Sequence, residues 1–352
     1  MDKTLSNKLK FLSFFLMILV VFIHSENLLV KFSTGNIMAQ KLSMNSFIQN
    51  FFSNGICRIA VPLFFIISGY LFFLKIEYSF SGFFRKYKSR FYSLFVPYII
   101  WSSYGIALYF ILQLFPFTKI YFTHYINQYS LSDFVKTLFI YPLTHQLWFI
   151  QDLMIIVLIS PIIYLLIKYL NLFSLLVFFL LWYNDLIMFN QCIFFFSLGA
   201  FFSITKRTID SKRFEKFSIV TFFLWIVILI IKTILLVNNI IDEFWDSMIL
   251  KTSLILGVFS IWFLYDLFFK NTDFSLMRMG SLFSFSFIIY VFHEPLLTII
   301  KKALFHFMGF SELSSLLIYF LAPILSIIIS ILVGINLLKR TPKLYKILTG
   351  NR

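Results

Sequence analysis

The chain is predicted to be an all-α integral membrane protein of about ten transmembrane helices, with both termini cytoplasmic. Three observations predict this: the composition, the spacing of the apolar blocks and the side on which basic residues fall. Of 352 residues, 60% are hydrophobic, 21% aromatic and only 13% charged, whereas a soluble protein carries about 25% charged residues. A mean hydropathy of +0.91 agrees. A soluble globular enzyme, a disordered chain and an ordinary DNA-binding domain are excluded. Two cysteines, Cys57 and Cys192, and five histidines with no His/Cys cluster support neither a disulfide framework nor a metal cage.

A spanning helix needs about 20 mostly apolar residues. Blocks of that length fall near 11–30, 56–74, 92–115, 147–168, 171–184, 187–204, 217–237, 249–269, 282–303 and 315–338. The first could imitate a signal peptide, with Lys3, Lys8 and Lys10 ahead of the run from Phe11 to Ile23. His24-Ser25-Glu26 stands where a small-residue cleavage site is needed, so the run reads as an uncleaved first span. The fifth and sixth blocks, joined at Tyr183-Asn184-Asp185, are short enough for a tight hairpin or a re-entrant pair. The longest loops, 31–55 and 116–146, are too short to fold alone, and residues 1–352 read as one membrane domain.

Orientation follows from the 30 Lys and Arg against 15 Asp and Glu. With the N-terminus inside, the inner loops collect most of them, notably Lys75, Arg85, Lys86, Lys88 and Arg90, and Lys206, Arg207, Lys212, Arg213 and Lys216. The outer side holds Lys31, Lys41, Lys119, Lys136, Lys251, Lys301 and Lys302. This is the positive-inside pattern. It accounts for the net charge of +15 without nucleic acid, because anionic lipid head groups welcome cytoplasmic cations.

Ionisable groups within spans are costly and point to function. Those present are His24, Glu26, Arg58, Asp152, Lys232, Asp266, His293 and Glu294. Lys232 lies near a helix end and is expected to snorkel. Asp266 is expected to meet Lys270 one turn on. The others agree in depth: His24 comes ~20 Å and His293 ~16 Å from the inner face, and Asp152 ~8 Å below the outer one. Arg58 and Glu26 lie on the same outer side, so these groups are expected to face one another around a watery cavity. The basic inner loops suit the phosphates of a cytoplasmic cofactor. An outward polar site and an inward phosphate site together suggest a group carried across the membrane.

The run Cys57-Arg58-Ile59-Ala60-Val61-Pro62-Leu63-Phe64-Phe65-Ile66-Ile67-Ser68-Gly69-Tyr70 is the most specific motif. It resembles the second-helix signature of the acyltransferase family 3 membrane proteins, in which Arg precedes a short apolar stretch with Pro, two aromatics and Ser-Gly. His24 near the outer end of the first span fits the same pattern, as do Arg90 and Pro97 around the third. So do Leu147-Trp148-Phe149-Ile150 opening the fourth and Tyr290-Val291-Phe292-His293-Glu294-Pro295 in the ninth.

The resemblance implies transfer of an acyl group, usually acetyl from cytoplasmic acetyl-CoA, to a hydroxyl of an extracytoplasmic glycan or small glycoside in a bacterial plasma membrane. No metal is implied. By resemblance, His24 is the catalytic histidine, and Glu294 or His293 stands where a polar residue of the ninth span would support the site. Arg58, Ser68 and Gly69 match the acyl-donor region, joined by Arg85 and Arg90, while Glu26, Trp148, Asp152 and His293 are candidates for the acceptor side. Two positions depart from the family: Ser13 replaces a common basic residue, for which Lys10 is the candidate substitute, and Gln151 stands where Arg is frequent. An imidazole can take the proton from an attacking sugar hydroxyl, and Arg58 or a backbone amide can stabilise the thioester oxyanion. An acyl-histidine route stays open. A sugar or lipid-linked glycan transporter or flippase is the alternative, since midplane polar groups and ten helices suit it equally.

Overall fold

The computed structural model describes residues 3–32, 35–38, 42–122, 124–207, 211–272, 274 and 278–351. Lys41, counted above among the outward cations, lies outside them. In chain order the first helices are α1 (Lys3–Ser25), α2 (Met44–Ser53), α3 (Ala60–Phe73), α4 (Phe80–Arg90) and α5 (Val96–Gln113). Then come α6 (Leu131–Phe139), α7 (Trp148–Leu170), α8 (Leu172–Tyr183), α9 (Asn190–Thr205) and α10 (Ser211–Val237). The last are α11 (Glu243–Phe269), α12 (Arg278–Leu282), α13 (Ser286–Met308), α14 (Glu312–Arg340) and α15 (Pro342–Leu348). Two short strands, β1 (Leu29–Phe32) and β2 (Gly35–Met38), pair antiparallel with Leu29 opposite Met38.

The protein is an all-α multi-pass membrane protein. Among the described residues, eight helical stretches are long and apolar enough to cross a membrane. All ten apolar blocks of the sequence are helical, but α8 and α9 are shorter, at 12 and 16 residues. They reach only ~18 and ~24 Å against a ~30 Å hydrocarbon core. The first helix stops at Ser25 instead of continuing to residue 30, because the chain turns there toward the β1–β2 hairpin.

The chain forms two compact units, and α1 contributes to both. The first comprises residues 1–20, 54–90 and 151–284. Its centre is the α3–α9 contact. A Cβ added at Gly69 would stand 2.0 Å from the Phe196 carbonyl oxygen, and one at Gly199 would stand 1.9 Å from that of Ile66. Only glycine at both positions lets the two backbones touch, which is how apolar helices gain packing energy where lipid offers no hydrophobic drive. Helices α10 and α11 pack along each other, with Ser260 donating to Thr221 at 2.9 Å.

Two expectations about charge fail in this unit. Asp266 does not pair with Lys270. It binds the buried Lys8 at 2.7 Å, whose ammonium also sits 4.0 Å from the Trp262 ring centre, while Lys270 meets Glu215 at 3.4 Å. Lys232 does not snorkel: its side chain is 1% exposed and pairs with Asp246 at 2.8 Å. Lys251, counted above on the outer side, is likewise buried, bound to Asp185 and to the Tyr183 carbonyl at 3.0 Å. In each case a carboxylate arrives from another segment, and a paired ammonium has no need to reach water.

The second unit comprises residues 21–53, 91–150 and 285–352. Here α13 packs on α14, α2 on α14, and α15 on α5. Trp101 pins the C-terminal segment by donating its indole N–H to the Leu348 carbonyl at 3.0 Å. A buried polar cluster ties the segment after α1 to α2 and α14. Gln49 donates to Asn27 at 2.9 Å and to Asn45 at 2.7 Å, Ser315 donates to Asn27 at 2.6 Å, and Asn45 donates to Ser315 at 2.9 Å. With so many donors and acceptors satisfied, the cluster rigidifies the chain immediately after His24 and Glu26.

Candidate active site

The site is built around a break in α13. Glu294 has φ −110° and ψ 137°, outside helical values, and Pro295 follows it. Proline has no N–H and so cannot supply the Val291 carbonyl, four residues earlier, with its helical donor. The break divides α13 into two half-helices. Glu294 stands as N-cap of the second and Pro295 as its first residue, the position proline tolerates best. Thr298 donates both its hydroxyl and its backbone N–H to the Glu294 carboxylate, and the positive end of the half-helix favours a negative charge there.

His293 is the last residue before the break and is fully buried, at 0% exposure. Its Nδ1 lies 3.0 Å from the Ile289 carbonyl oxygen, whereas its Nε2 has no hydrogen-bond partner among the described residues. The His24 ring lies beside it, centroids 5.4 Å apart and planes inclined by 48°. His24 is half-buried and occupies the last turn of α1, whose closing carbonyls need partners from outside the helix. Lys301 supplies them, donating to the His24 carbonyl at 2.7 Å and the Glu26 carbonyl at 3.2 Å. Its charge also interacts with Glu294 and Glu26. Tyr109, from α5, interacts electrostatically with Glu294.

The turn His145–Leu147 presses against the break. Gln146 donates its amide to the Val291 carbonyl at 3.1 Å and to the Glu294 carbonyl at 2.9 Å, and Tyr290 donates back to the Gln146 carbonyl at 2.7 Å. Within this unit the structure therefore joins two imidazoles, a capped carboxylate and an ammonium. Such a set can orient a hydroxyl, accept its proton and hold the resulting positive charge.

Of the residues expected at a site, His24, Glu26, His293 and Glu294 come together here. Trp148, at the start of α7, is 40% exposed and meets Phe149 edge to face, with ring centres 6.3 Å apart. The remainder lie in the first unit. Asp152 is half-buried and accepts from the Cys192 thiol at 3.1 Å. Arg58 is exposed and bonded to the Asn54 side chain at 2.5 Å. Lys10 is exposed, and the buried lysine of its helix is Lys8. Gly69 is consumed by the α3–α9 contact beside the half-buried Ser68. Arg85 pairs with Glu77, while Lys86 and Arg90 bring their charges to 5.9 and 6.0 Å from the Phe72 ring centre. Two clustered cations of this kind suit phosphate oxygens.

Sequence reasoning missed Lys301, Thr298, Gln146 and Tyr109. Lys301, counted above on the outer side, lies inside α13. A signal for it existed: Thr298 and Lys301 follow Glu294 by four and seven residues, the spacing of one helix face. Nothing local marks Gln146 or Tyr109, which reach the site from distant parts of the chain.

The fold and this site define a multi-pass membrane protein with an embedded imidazole–carboxylate centre. The acyltransferase domain model of acyltransferase family 3 matches residues 7–335, nearly the whole chain, so the protein belongs to that family and is a membrane acyltransferase. It is similar to the succinoglycan biosynthesis protein ExoH of Rhizobium meliloti (strain 1021), with 27% identity over 321 residues that cover 88% of this chain and 83% of that protein. No solved structure matches it significantly.

Proposed function

We propose that the protein is an O-acyltransferase that takes an acetyl group from cytoplasmic acetyl-CoA to a hydroxyl of an extracytoplasmic sugar or polysaccharide. It does so in a bacterial plasma membrane with both termini inside, and His24 serves as general base. The observation that carries this reading is the His24–His293 pair, centroids 5.4 Å apart, in which a fully buried Nε2 lacks a protein partner among the described residues. A buried polar atom left without a protein partner is costly, and a bound hydroxyl would satisfy it. The similarity to a succinoglycan biosynthesis protein favours a polysaccharide acceptor.

In this reading a neighbouring hydroxyl of the acceptor sugar donates to the His293 Nε2, the other ring nitrogen being the donor to the Ile289 carbonyl, and the reacting hydroxyl is presented to His24. His24 takes its proton as the oxygen attacks the thioester carbonyl carbon. The new C–O bond forms, the C–S bond breaks, and the proton passes to the departing thiolate. Glu294 and Lys301 contribute fixed charges that orient His24 and its neighbour before reaction, when preorganisation is most effective. On the donor side the proposal assigns Lys10, Arg58, Ser68, Gly69, Arg85 and Arg90. Lys86 and Arg90 beside Phe72 fit the phosphates of a coenzyme A thioester.

The test compares O-acetyl esters on surface polysaccharide from cells producing wild type or His24→Ala at equal membrane levels. Esters made by the wild type and lost in the variant support the proposal. Esters that persist in the variant remove His24 from the mechanism. If the wild type makes none, polysaccharide acetylation is the wrong reaction.

A further inference from the structure

We propose that Gln146 is a positioning residue that replaces the hydrogen bond Pro295 cannot make and thereby fixes His293 and Glu294 for transfer. The observation is a match between a defect and its remedy. In an unbroken helix the residue at 295 would donate to the Val291 carbonyl; proline has no proton to give. The carbonyl so orphaned is one of two that Gln146 reaches, at 3.1 Å, and the other belongs to Glu294 at 2.9 Å. Both acceptors flank His293, one on either side of it in the chain.

A broken helix within a membrane is tolerated when neighbouring groups satisfy the backbone it frees. The local chemistry leaves one assignment for the Gln146 amide. Two carbonyl oxygens require its nitrogen, and its Oε1 has no partner among the described residues. Gln146 thus contributes as a two-proton donor. The turn that carries it is itself anchored. Tyr290 donates to its backbone carbonyl at 2.7 Å, and Gly105 on α5 leaves room for Thr144, whose Cγ2 would stand 2.9 Å from an added Cβ. The residue acts through His293 and Glu294, without touching the acceptor. The transfer part of this inference rests on the proposed acyltransferase reading; the positional part does not.

The decisive variant is Gln146→Met, which keeps length and volume but removes both donors. Three readouts on the full-length protein in detergent or membranes separate the outcomes. First, Gln146→Met lowers thermal stability in the wild-type background and lowers it markedly less in Pro295→Ala, where residue 295 regains an N–H. Equal losses in both backgrounds overturn the link to Pro295. Second, diethyl pyrocarbonate followed by peptide mass spectrometry finds His293 unmodified in wild type and modified in Gln146→Met, while buried Cys57 and Cys192 stay protected from a thiol reagent. An unmodified His293 in both proteins overturns the positioning role, whether or not the protein transfers acetyl. Third, ester formation falls about 30-fold or more at equal membrane levels. An unchanged ester yield beside a shifted His293 means that the residue shapes the break without serving the reaction, and the transfer part fails.

Discussion

Lys301 offers the most demanding test of the site. Its ammonium closes α1 by donating to the His24 carbonyl at 2.7 Å and the Glu26 carbonyl at 3.2 Å, and its charge faces Glu294 and Glu26. Lys301→Met retains the length of the side chain and removes both donors and the charge. A hydrogen bond to a charged group contributes about 1.5–3 kcal/mol, so two of unequal length are together worth about 3–5 kcal/mol. Breaking one side of a buried charge constellation costs about the same. In the proposed mechanism the consequence is displacement of the last turn of α1, which carries the proposed base His24, and a shift of about 1 Å at a reacting group costs about 100-fold. Ester formation per unit of membrane protein is therefore expected to fall about 100-fold in Lys301→Met, and about tenfold or less in Lys301→Arg, which keeps charge and donors. The assay is quantification of O-acetyl esters alongside immunodetection of the protein in membranes. Lys301→Met within threefold of wild type would refute the reasoning, because His24 would then hold its place without its cap.

Three further outcomes follow from other contacts. Thr298→Val removes the hydroxyl that serves Glu294 but keeps the backbone donor; a loss of about 1 kcal/mol, or roughly fivefold in ester yield, is expected, and no change would show that the cap is idle. Gly69→Ala forces a methyl to within 2.0 Å of the Phe196 carbonyl oxygen. Overpacking costs at least about 1–3 kcal/mol, read as a lower melting temperature in detergent, and an undiminished one would contradict the α3–α9 contact. Lys232→Met alone leaves Asp246 without its partner and should cost about 3–5 kcal/mol. Lys232→Met combined with Asp246→Leu should cost clearly less, and additive losses in a thermal double-mutant cycle would argue against the pair.

How much of the site was legible is decided residue by residue. His24 and His293 lie far apart in the chain, yet rise-per-residue arithmetic placed both between the membrane's midplane and its outer face, and in the structure their rings stand side by side. His293-Glu294-Pro295 was visible as a motif within a single span of 282–303, whereas the break at Glu294 was not foreseen and only the structure divides α13 there. Lys301 was passed over because a count of charges by membrane side gives a lysine no partner, and the hydropathy pattern carries no record of two carbonyls awaiting a donor. Lys232 and Asp266 were misread for a related reason. Helical spacing offers partners one turn away, whereas the pairs that form, Lys232 with Asp246 and Asp266 with Lys8, bridge different helices.

The sequence by itself determined that the protein is helical, that it crosses a membrane many times, and which family's signature it carries. Each of these depends on local composition and spacing, which a bilayer converts directly into spanning helices. Only the tertiary structure decided which of the embedded charges are paired, that Lys301 closes the helix carrying His24, and that Gln146 meets the carbonyl orphaned by Pro295. Lys8 with Asp266, Lys301 with His24 and Gln146 with Val291 join residues more than a hundred positions apart. They exist because a polar group in an apolar surrounding must find a partner wherever the packing brings one within reach.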